Sequence, residues 1–403
     1  MKNILVITPI YPGPGIPETD TQVVHYFAKE WAKEGYRVKT IFLPSIFPSI
    51  YYCAARIFKD SISTMAGFKV RTNRPSDMKY TLDSVEVTRI GIKKFIPHTM
   101  PSSAALRKIV EKIIADCNES KFVPDYITGH FANPSLKIIA MLKSHFKSTC
   151  CYVAHSVNEL EVLGNEAERL LNKMDIIGFR SKHTGYLIQK RYSVAVPSFI
   201  CYSGIPESLL GERKEKQFTH YRNKIVFVGN LIANKNPTAL IPAAATAFNG
   251  TPFEITFVGD GKESEKIRSI AAKYNCSSSI SLTGRLPREK VLDIMDESDI
   301  FIMISNHEAF GLVYLEAMSR GLITIASKRN GFDGIIRDGY NGFLCESGDQ
   351  MELSLILKHI RSLPLEELQR ISANAYESAS ELTDHKAAMM YINAISHIDY
   401  ILV

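Results

Sequence analysis

The sequence contains no Asp-x-Asp, no His-Glu-x-x-His and no grouping of histidines with carboxylates. Without such ligand sets no metal centre is expected, and divalent ions are expected to be dispensable. Its seven cysteines, at 53, 117, 150, 151, 201, 276 and 345, form no Cys-x-x-Cys pair and no regular spacing, which excludes a zinc ribbon and a disulfide framework. A reducing cytosol is the expected compartment. No window reaches the roughly 18 uninterrupted apolar residues of a membrane-spanning helix, so any membrane contact is expected to be peripheral. The opening MKNILVITPI is short, lacks a small-residue cleavage site and runs into Pro9, Pro12, Gly13 and Pro14, so it reads as a first strand and not as a secretory signal. No Gly-x-Gly-x-x-Gly follows that strand, which argues against a nicotinamide-dependent dehydrogenase. Internal repeats and low-complexity tracts are also absent.

What remains is an ordinary globular composition, 45% apolar and 22% charged, spread over 403 residues. That length exceeds what one core organises, so two domains of about 200 residues are expected. The net charge of +6 is uneven: residues 1–200 hold 27 Lys and Arg against 17 Asp and Glu, a balance of +10, and the remainder is at −4. A basic half suits a phosphorylated acceptor or an anionic lipid surface. Nucleic acid fits less well, because no helix-turn-helix, zinc finger or RNA-binding aromatic signature accompanies the charge.

Strand-length apolar runs alternate with amphipathic helical stretches throughout, the pattern of parallel sheets buried on both faces. NILVITPI, RVKTIFLP, YITGHF, CCYVAH, MDIIGF and VPSFICY read as strands of the first half, with helices at 21–34 and 104–118 among them. KIVFVGN, FEITFVGD, SISLTG, IFIMIS and LITIAS restart the rhythm, with helices near 237–248, 262–275, 288–296 and 314–320. The Gly-, Pro- and charge-rich stretch from Gly204 to Lys216 reads as an interdomain linker. The expected division is 1–205 and 206–384, with the apolar stretch 385–403 closing the second domain or crossing back onto the first. Doubly wound sheets bind ligands at the carboxyl ends of their strands, so the loops there are where function is sought.

Residues 305–321, SNHEAFGLVYLEAMSRG, place Glu308 before a helical pattern and Glu316 within it. A helix starting near Phe310 and Gly311 offers unpaired N–H groups and a positive dipole end, which suits a diphosphate. With VGDG at 258–261, GRL at 284–286 and DGYNGFL at 338–344, this segment resembles the retaining glycosyltransferases of family 4, which have the GT-B fold: two Rossmann-like domains facing each other across a cleft. The likeness is clear over roughly 200–345 and looser before it.

The resemblance implies a sugar transferred from a UDP- or GDP-sugar to a saccharide or lipid-linked saccharide, with retention and without metal, in cell-surface polysaccharide synthesis. It assigns Glu316 to the ribose hydroxyls, Glu308 to the donor sugar and Lys235, in VGNLIANKNP, to the departing diphosphate. The donor site would further comprise Asn230, Gly259, Gly261, Arg285, Leu286, Ala309, Phe310, Gly311 and Leu312. Asn230 departs from the family, which commonly carries Arg there; Arg285, Arg180 and Lys182 are the candidate replacement cations. Gly259 and Gly261 are equally well explained by the conformation of a tight strand-to-helix turn. On the acceptor side, Gly13 and Gly15 stand in a loop that lacks the family's Gly-Gly pair, and a mere connecting loop is an equal reading. His130 and His155 end candidate strands, and the family counterpart of His155 borders the transferred sugar.

The stretch 41–58 and the basic residues that follow through Lys94 suggest attachment to an anionic membrane on the cytoplasmic face, although Pro44 and Pro48 interrupt any single amphipathic helix and a buried strand and loop explain it equally. The competing functions are a nucleotide-sugar epimerase of the same fold and a non-catalytic nucleotide-sugar-binding subunit, the latter favoured by Asn230.

Overall fold

The computed structural model describes residues 1–16, 21–58, 72–96, 99–211, 215–220 and 222–398. It divides into two compact units: Met1–Arg180 with Thr184–Cys201 and Ala387 onward, and Ser181–His183 with Tyr202–Lys386.

The first unit is built on an eight-stranded sheet. Its strands are β1 (Asn3–Thr8), β2 (Arg37–Phe42), β4 (Met78–Leu82), β5 (Val85–Arg89), β7 (Tyr126–His130), β8 (Thr149–Ala154), β9 (Ile176–Phe179) and β10 (Ser198–Ile200), in the order β10-β9-β8-β7-β1-β2-β5-β4. A separate two-residue pair joins β3 (Ser45–Ile46) to β6 (Ile92–Lys93). All neighbours in the large sheet run parallel except β4 and β5, which form a hairpin. β7 and β8 are buried almost throughout, as strands covered by helices on both faces must be. The chain leaves β1 toward β2 and returns to β7 on the other side, so the strand order reverses between β1 and β7. Ligands of doubly wound sheets bind at that point.

The β4–β5 hairpin lies outside the strands expected from sequence. Its turn, Asp83 and Ser84, has φ of 46° and 65° without a glycine, so the usual hairpin signal is missing. The C-terminal helix Asp384–Ser396 buries Ala387, Ala388, Tyr391, Ile392 and Ile395 in the first unit's core with Ile4, Val6 and Trp31, and the Trp31 indole donates to the Ala388 carbonyl at 2.9 Å. The final five residues of the 385–403 stretch lie outside the described residues.

The second unit holds a six-stranded parallel sheet of β11 (Lys224–Val228), β12 (Glu254–Val258), β13 (Ile280–Gly284), β14 (Ile300–Met303), β15 (Ile323–Ser327) and β16 (Phe343–Cys345), in the order β13-β12-β11-β14-β15-β16. Its reversal falls between β11 and β14. The stretch expected as an interdomain linker packs onto this unit. Ile205 N–H donates to the Leu382 carbonyl at 3.0 Å, and the buried ammonium of Lys216 donates to the Met295 and Asp296 carbonyls at 3.2 and 2.7 Å. Its Gly, Pro and charge content concealed these tertiary contacts; residues 212–214 lie outside the described residues. No helix among the described residues is long and apolar enough to cross a membrane.

Candidate active site

At the reversal point of the second sheet, the loop after β11 meets the loop after β14. Asn234 donates to the His307 carbonyl at 2.8 Å, the Asn306 N–H donates to the Asn234 carbonyl at 2.8 Å, and Asn236 donates to the Ile304 carbonyl at 2.8 Å. Asn236 sits at φ 49°, a left-handed conformation that asparagine tolerates, which ends the single 3-10 turn Ala233–Lys235. The two asparagines therefore bracket Lys235, whose ammonium forms an ion pair with Glu308.

Glu308 is held from the other side by Asn330. The buried Asn330 amide accepts the Glu308 N–H at 2.7 Å and donates to the Ser305 and Asn306 carbonyls at 2.8 and 3.0 Å. Gly331 lies so close beneath that a Cβ there would stand 2.4 Å from the Glu308 carbonyl oxygen. Ala309 is exposed, while the Phe310 ring is buried against Tyr202 and Phe332. Gly311 follows at φ 93°, with the Tyr314 ring 2.5 Å from where its Cβ would be. It opens the helix Leu312–Ser319 without a side-chain cap; the Tyr314 N–H donates to the Gly311 carbonyl at 3.1 Å, which leaves the N–H groups of Leu312 and Val313 as the donors at this helix start.

On that helix Glu316 is largely buried, and burial raises its pKa while the neighbouring Arg288 guanidinium opposes the rise. Arg288 donates to it at 2.6 Å. Arg285 is exposed in the turn after β13, and Leu286 packs against the core.

Gly259 and Gly261 have a conformational reason to be glycine. A Cβ at Gly259, φ 141°, would meet the Gly229 carbonyl oxygen at 1.9 Å, and one at Gly261 would meet that of Leu231 at 2.2 Å. The turn after β12 thus lies directly on the 229–231 segment that carries Asn230, which is exposed.

In the first unit His130 ends β7 at the reversal point, and its Nδ1 lies 3.0 Å from Nε2 of His155 at the end of β8. The other His130 nitrogen is 3.3 Å from the Tyr391 hydroxyl, and Phe131 stacks on His155 with 3.9 Å between ring centroids. Burial holds both imidazoles neutral, that of His130 with a pKa down at about 3 and that of His155 well below the ordinary value, where His130 and Arg180 add to the effect. Glu159 accepts the His155 N–H at 2.8 Å and the Tyr152 hydroxyl at 2.5 Å, and burial pushes its pKa up to about 7. In the β1 loop Gly13 lies under Tyr80, whose oxygen would be 2.3 Å from an added Cβ, and the Tyr80 hydroxyl donates to the Pro12 carbonyl at 2.6 Å. Gly15 has φ 73° and open space around it.

Lys235, Glu308 and Gly311 therefore fall in one loop cluster of the second unit, and His130 with His155 in one cluster of the first. Of the candidate replacement cations, Arg180 is buried in the first unit with its guanidinium donating to the Cys201 carbonyl at 2.7 Å. Lys182 belongs to the second unit, with its stem against Gly334. The sequence reading missed Arg288, Asn330, Glu159 and Tyr391. Only Arg288 had a local signal, standing after Pro287 at the first position of the helix Arg288–Glu297.

Residues 211–378 match the family described as Glycosyl transferases group 1. An uncharacterised glycosyltransferase of Methanocaldococcus jannaschii is 26% identical over 364 residues, 87% of this chain and 97% of that protein. The UDP-Gal:alpha-D-GlcNAc-diphosphoundecaprenol alpha-1,3-galactosyltransferase of Escherichia coli is 34% identical over 148 residues, 34% of this chain and 37% of that one. Among solved structures, sucrose-phosphate synthase of Thermosynechococcus elongatus aligns over 100% of both chains with a TM-score of 0.69 at 17% identity, and Anabaena HepE in complex with UDP over 98% and 100% with 0.65 at 18%. The fold is that of the GT-B glycosyltransferases, and the second unit carries a glycosyl transferases group 1 domain.

Proposed function

We propose that this glycosyltransferase moves a sugar, with retention at the anomeric carbon and without a metal ion, from a UDP- or GDP-sugar to a saccharide or lipid-linked saccharide. The observation that carries the reading is the Lys235–Glu308 pair beside the uncapped start of the helix at Gly311, at the point where the sheet order reverses. A fixed ammonium and unpaired N–H groups are what a departing diphosphate requires when no cation is bound with it. In this reading Glu308 holds Lys235 in place before the donor arrives and meets the hydroxyls of the donor sugar. The acceptor hydroxyl enters on the face the diphosphate leaves. The neutral His155 borders the transferred sugar.

The E. coli relative's name specifies a diphosphoundecaprenol acceptor, and this supports a lipid-linked acceptor here, in polysaccharide synthesis at the cytoplasmic face of a membrane. The deciding experiment incubates the chain with UDP- and GDP-sugars, with and without saccharide acceptors and in EDTA, and follows the anomeric proton of the product by NMR. Acceptor-dependent transfer with the donor's anomeric configuration is expected in EDTA. Conversion of the nucleotide sugar without acceptor makes the chain an epimerase, an inverted product removes the retaining mechanism, and a manganese requirement removes metal independence.

A further inference from the structure

The Glu316 carboxylate is held by one oxygen. Nη2 of Arg288 donates to Oε1 at 2.6 Å, while Oε2 accepts no hydrogen bond from any described residue and is not among the buried unpaired atoms, so it stays open to solvent. The Glu316 side chain is 15% exposed and that of Arg288 44%, so the carboxylate sits at the edge of the protein interior with its counterion on the wet side. The other cations near this edge do not compete for it. Arg320, a turn further along, is engaged by Asp296 at 2.6 Å, Lys290 pairs with Asp293 at 3.0 Å, and Arg285 makes no ion pair among the described residues.

We propose that Arg288 is a positioning residue for donor binding: it anchors one oxygen of Glu316 so that the other accepts a hydroxyl of the nucleotide's ribose. The proposal rests on the assignment of Glu316 to the ribose. A protonated carboxyl in the same place would be a poorer acceptor, and an unanchored one would pay rotamer entropy on each binding event. The contact is a single N–H···O bond, so a lysine reaching the same oxygen can replace much of it.

Affinity should follow the ionised form of Glu316. That form is fully present above the residue's pKa and lost as pH falls through it. Removing Arg288 takes away the group that opposes the rise due to burial, so loss on acidification begins at a higher pH.

The test measures dissociation constants of UDP and of GDP from pH 5 to 8 by calorimetry on the full chain, for wild type, Arg288→Gln, Arg288→Lys and Glu316→Ala, with melting temperatures taken in parallel. For whichever nucleotide wild type binds more tightly, Arg288→Gln should lose about tenfold at pH 7, as expected for a hydrogen bond to a charged group. Its acid limb should start at higher pH than that of wild type, and Arg288→Lys should recover most of the loss. Glu316→Ala should bind weakly with no acid limb from this group. If Glu316→Ala loses affinity but Arg288→Gln keeps the wild-type constants and profile, Arg288 has no such role while the ribose assignment stands. If Glu316→Ala binds as wild type does, or wild type binds neither nucleotide, the ribose assignment itself fails and the role of Arg288 with it.

Discussion

Lys235 and Glu308, 73 residues apart in sequence, form an ion pair in which each side chain is 17% exposed. At that burial neither charge is well solvated alone, and the asparagine bracket and Asn330 fix both backbones. The pair is a preorganised electrostatic element and not a chance surface contact.

Replacing Lys235 by alanine should therefore lower kcat by about 100- to 1000-fold, the equivalent of about 2.7–4 kcal/mol of leaving-group stabilisation, with a smaller change in KM. The charge that Lys235 meets grows during the reaction, so the loss belongs to the transition state. Steady-state kinetics with the identified donor check this, and turnover within tenfold of wild type would remove Lys235 from the mechanism.

Gly259→Ala should destabilise the second unit by about 2–4 kcal/mol, because the added carbon meets a backbone carbonyl oxygen at 1.9 Å and the residue must keep a φ of 141°. Gly284→Ala provides the contrast. Its φ of 71° carries strain of about 1–2 kcal/mol, but no atom lies within 4 Å of the new carbon. Urea denaturation of the two variants should rank them in that order, and equal midpoints would show that the turn relaxes away from Gly229.

The parallel strands were legible because both of their faces are buried, which leaves apolar runs such as those of β1, β8 and β14 almost unbroken. The hairpin β4–β5 was not: Met78–Leu82 alternates between half-buried and exposed positions, and its Asp83–Ser84 turn carries no glycine. Site residues followed the same division. Lys235, Glu308 and Gly311 stand in motifs with local meaning, a loop after a strand or a break before a helix. Asn330 and Glu159 act by hydrogen-bonding backbone that is distant or on other elements, and side-chain amides and carboxylates with that task look like any other in a sequence. The partnership of Arg288 with Glu316 spans 28 residues and two helices, so each was visible only as a charge on its own helix.

Glu159 gives the first unit a pH dependence with a definite sign. Its pKa rises from 4.5 to about 7 on folding, so its contribution to stability is fully present below about pH 4.5 and is lost as pH rises to about 7. His130 works in the opposite sense, since its depressed value makes folding less favourable as pH falls from 6.5 toward 3. Glu159→Gln isolates the first effect, because a glutamine stays neutral throughout. The stability difference, variant minus wild type, should grow in the variant's favour between pH 4.5 and 7, as followed by thermal melts. A difference that does not change with pH would mean that Glu159 titrates normally.

The stretch 41–58, for which membrane attachment and a buried strand and loop are equal expectations, splits in two in the structure. Ile41, Phe42 and Leu43 are buried as part of β2 and the residue after it, so they serve the core. The helix Ser49–Ile57 instead leaves Ile50 78% and Ile57 74% exposed, and Phe95, just beyond β6, is 86% exposed. Pairing of β3 with β6 ties these two apolar segments together, with Lys93 exposed beside them; residues 59–71 lie outside the described residues. Each such side chain entering a lipid surface contributes about 1.5–3 kcal/mol, and each nearby cation about 1 kcal/mol on an anionic leaflet. The full chain should therefore float with anionic phospholipid vesicles and far less with zwitterionic ones. Raising the salt should weaken the association without abolishing it, since only the charged part is screened. Ile57→Glu with Phe95→Glu should release the protein while leaving its melting temperature unchanged, because both side chains already stand in water. Vesicles that fail to carry the wild-type chain at low salt would leave these exposed groups without a membrane role and would favour an acceptor that reaches the enzyme from solution.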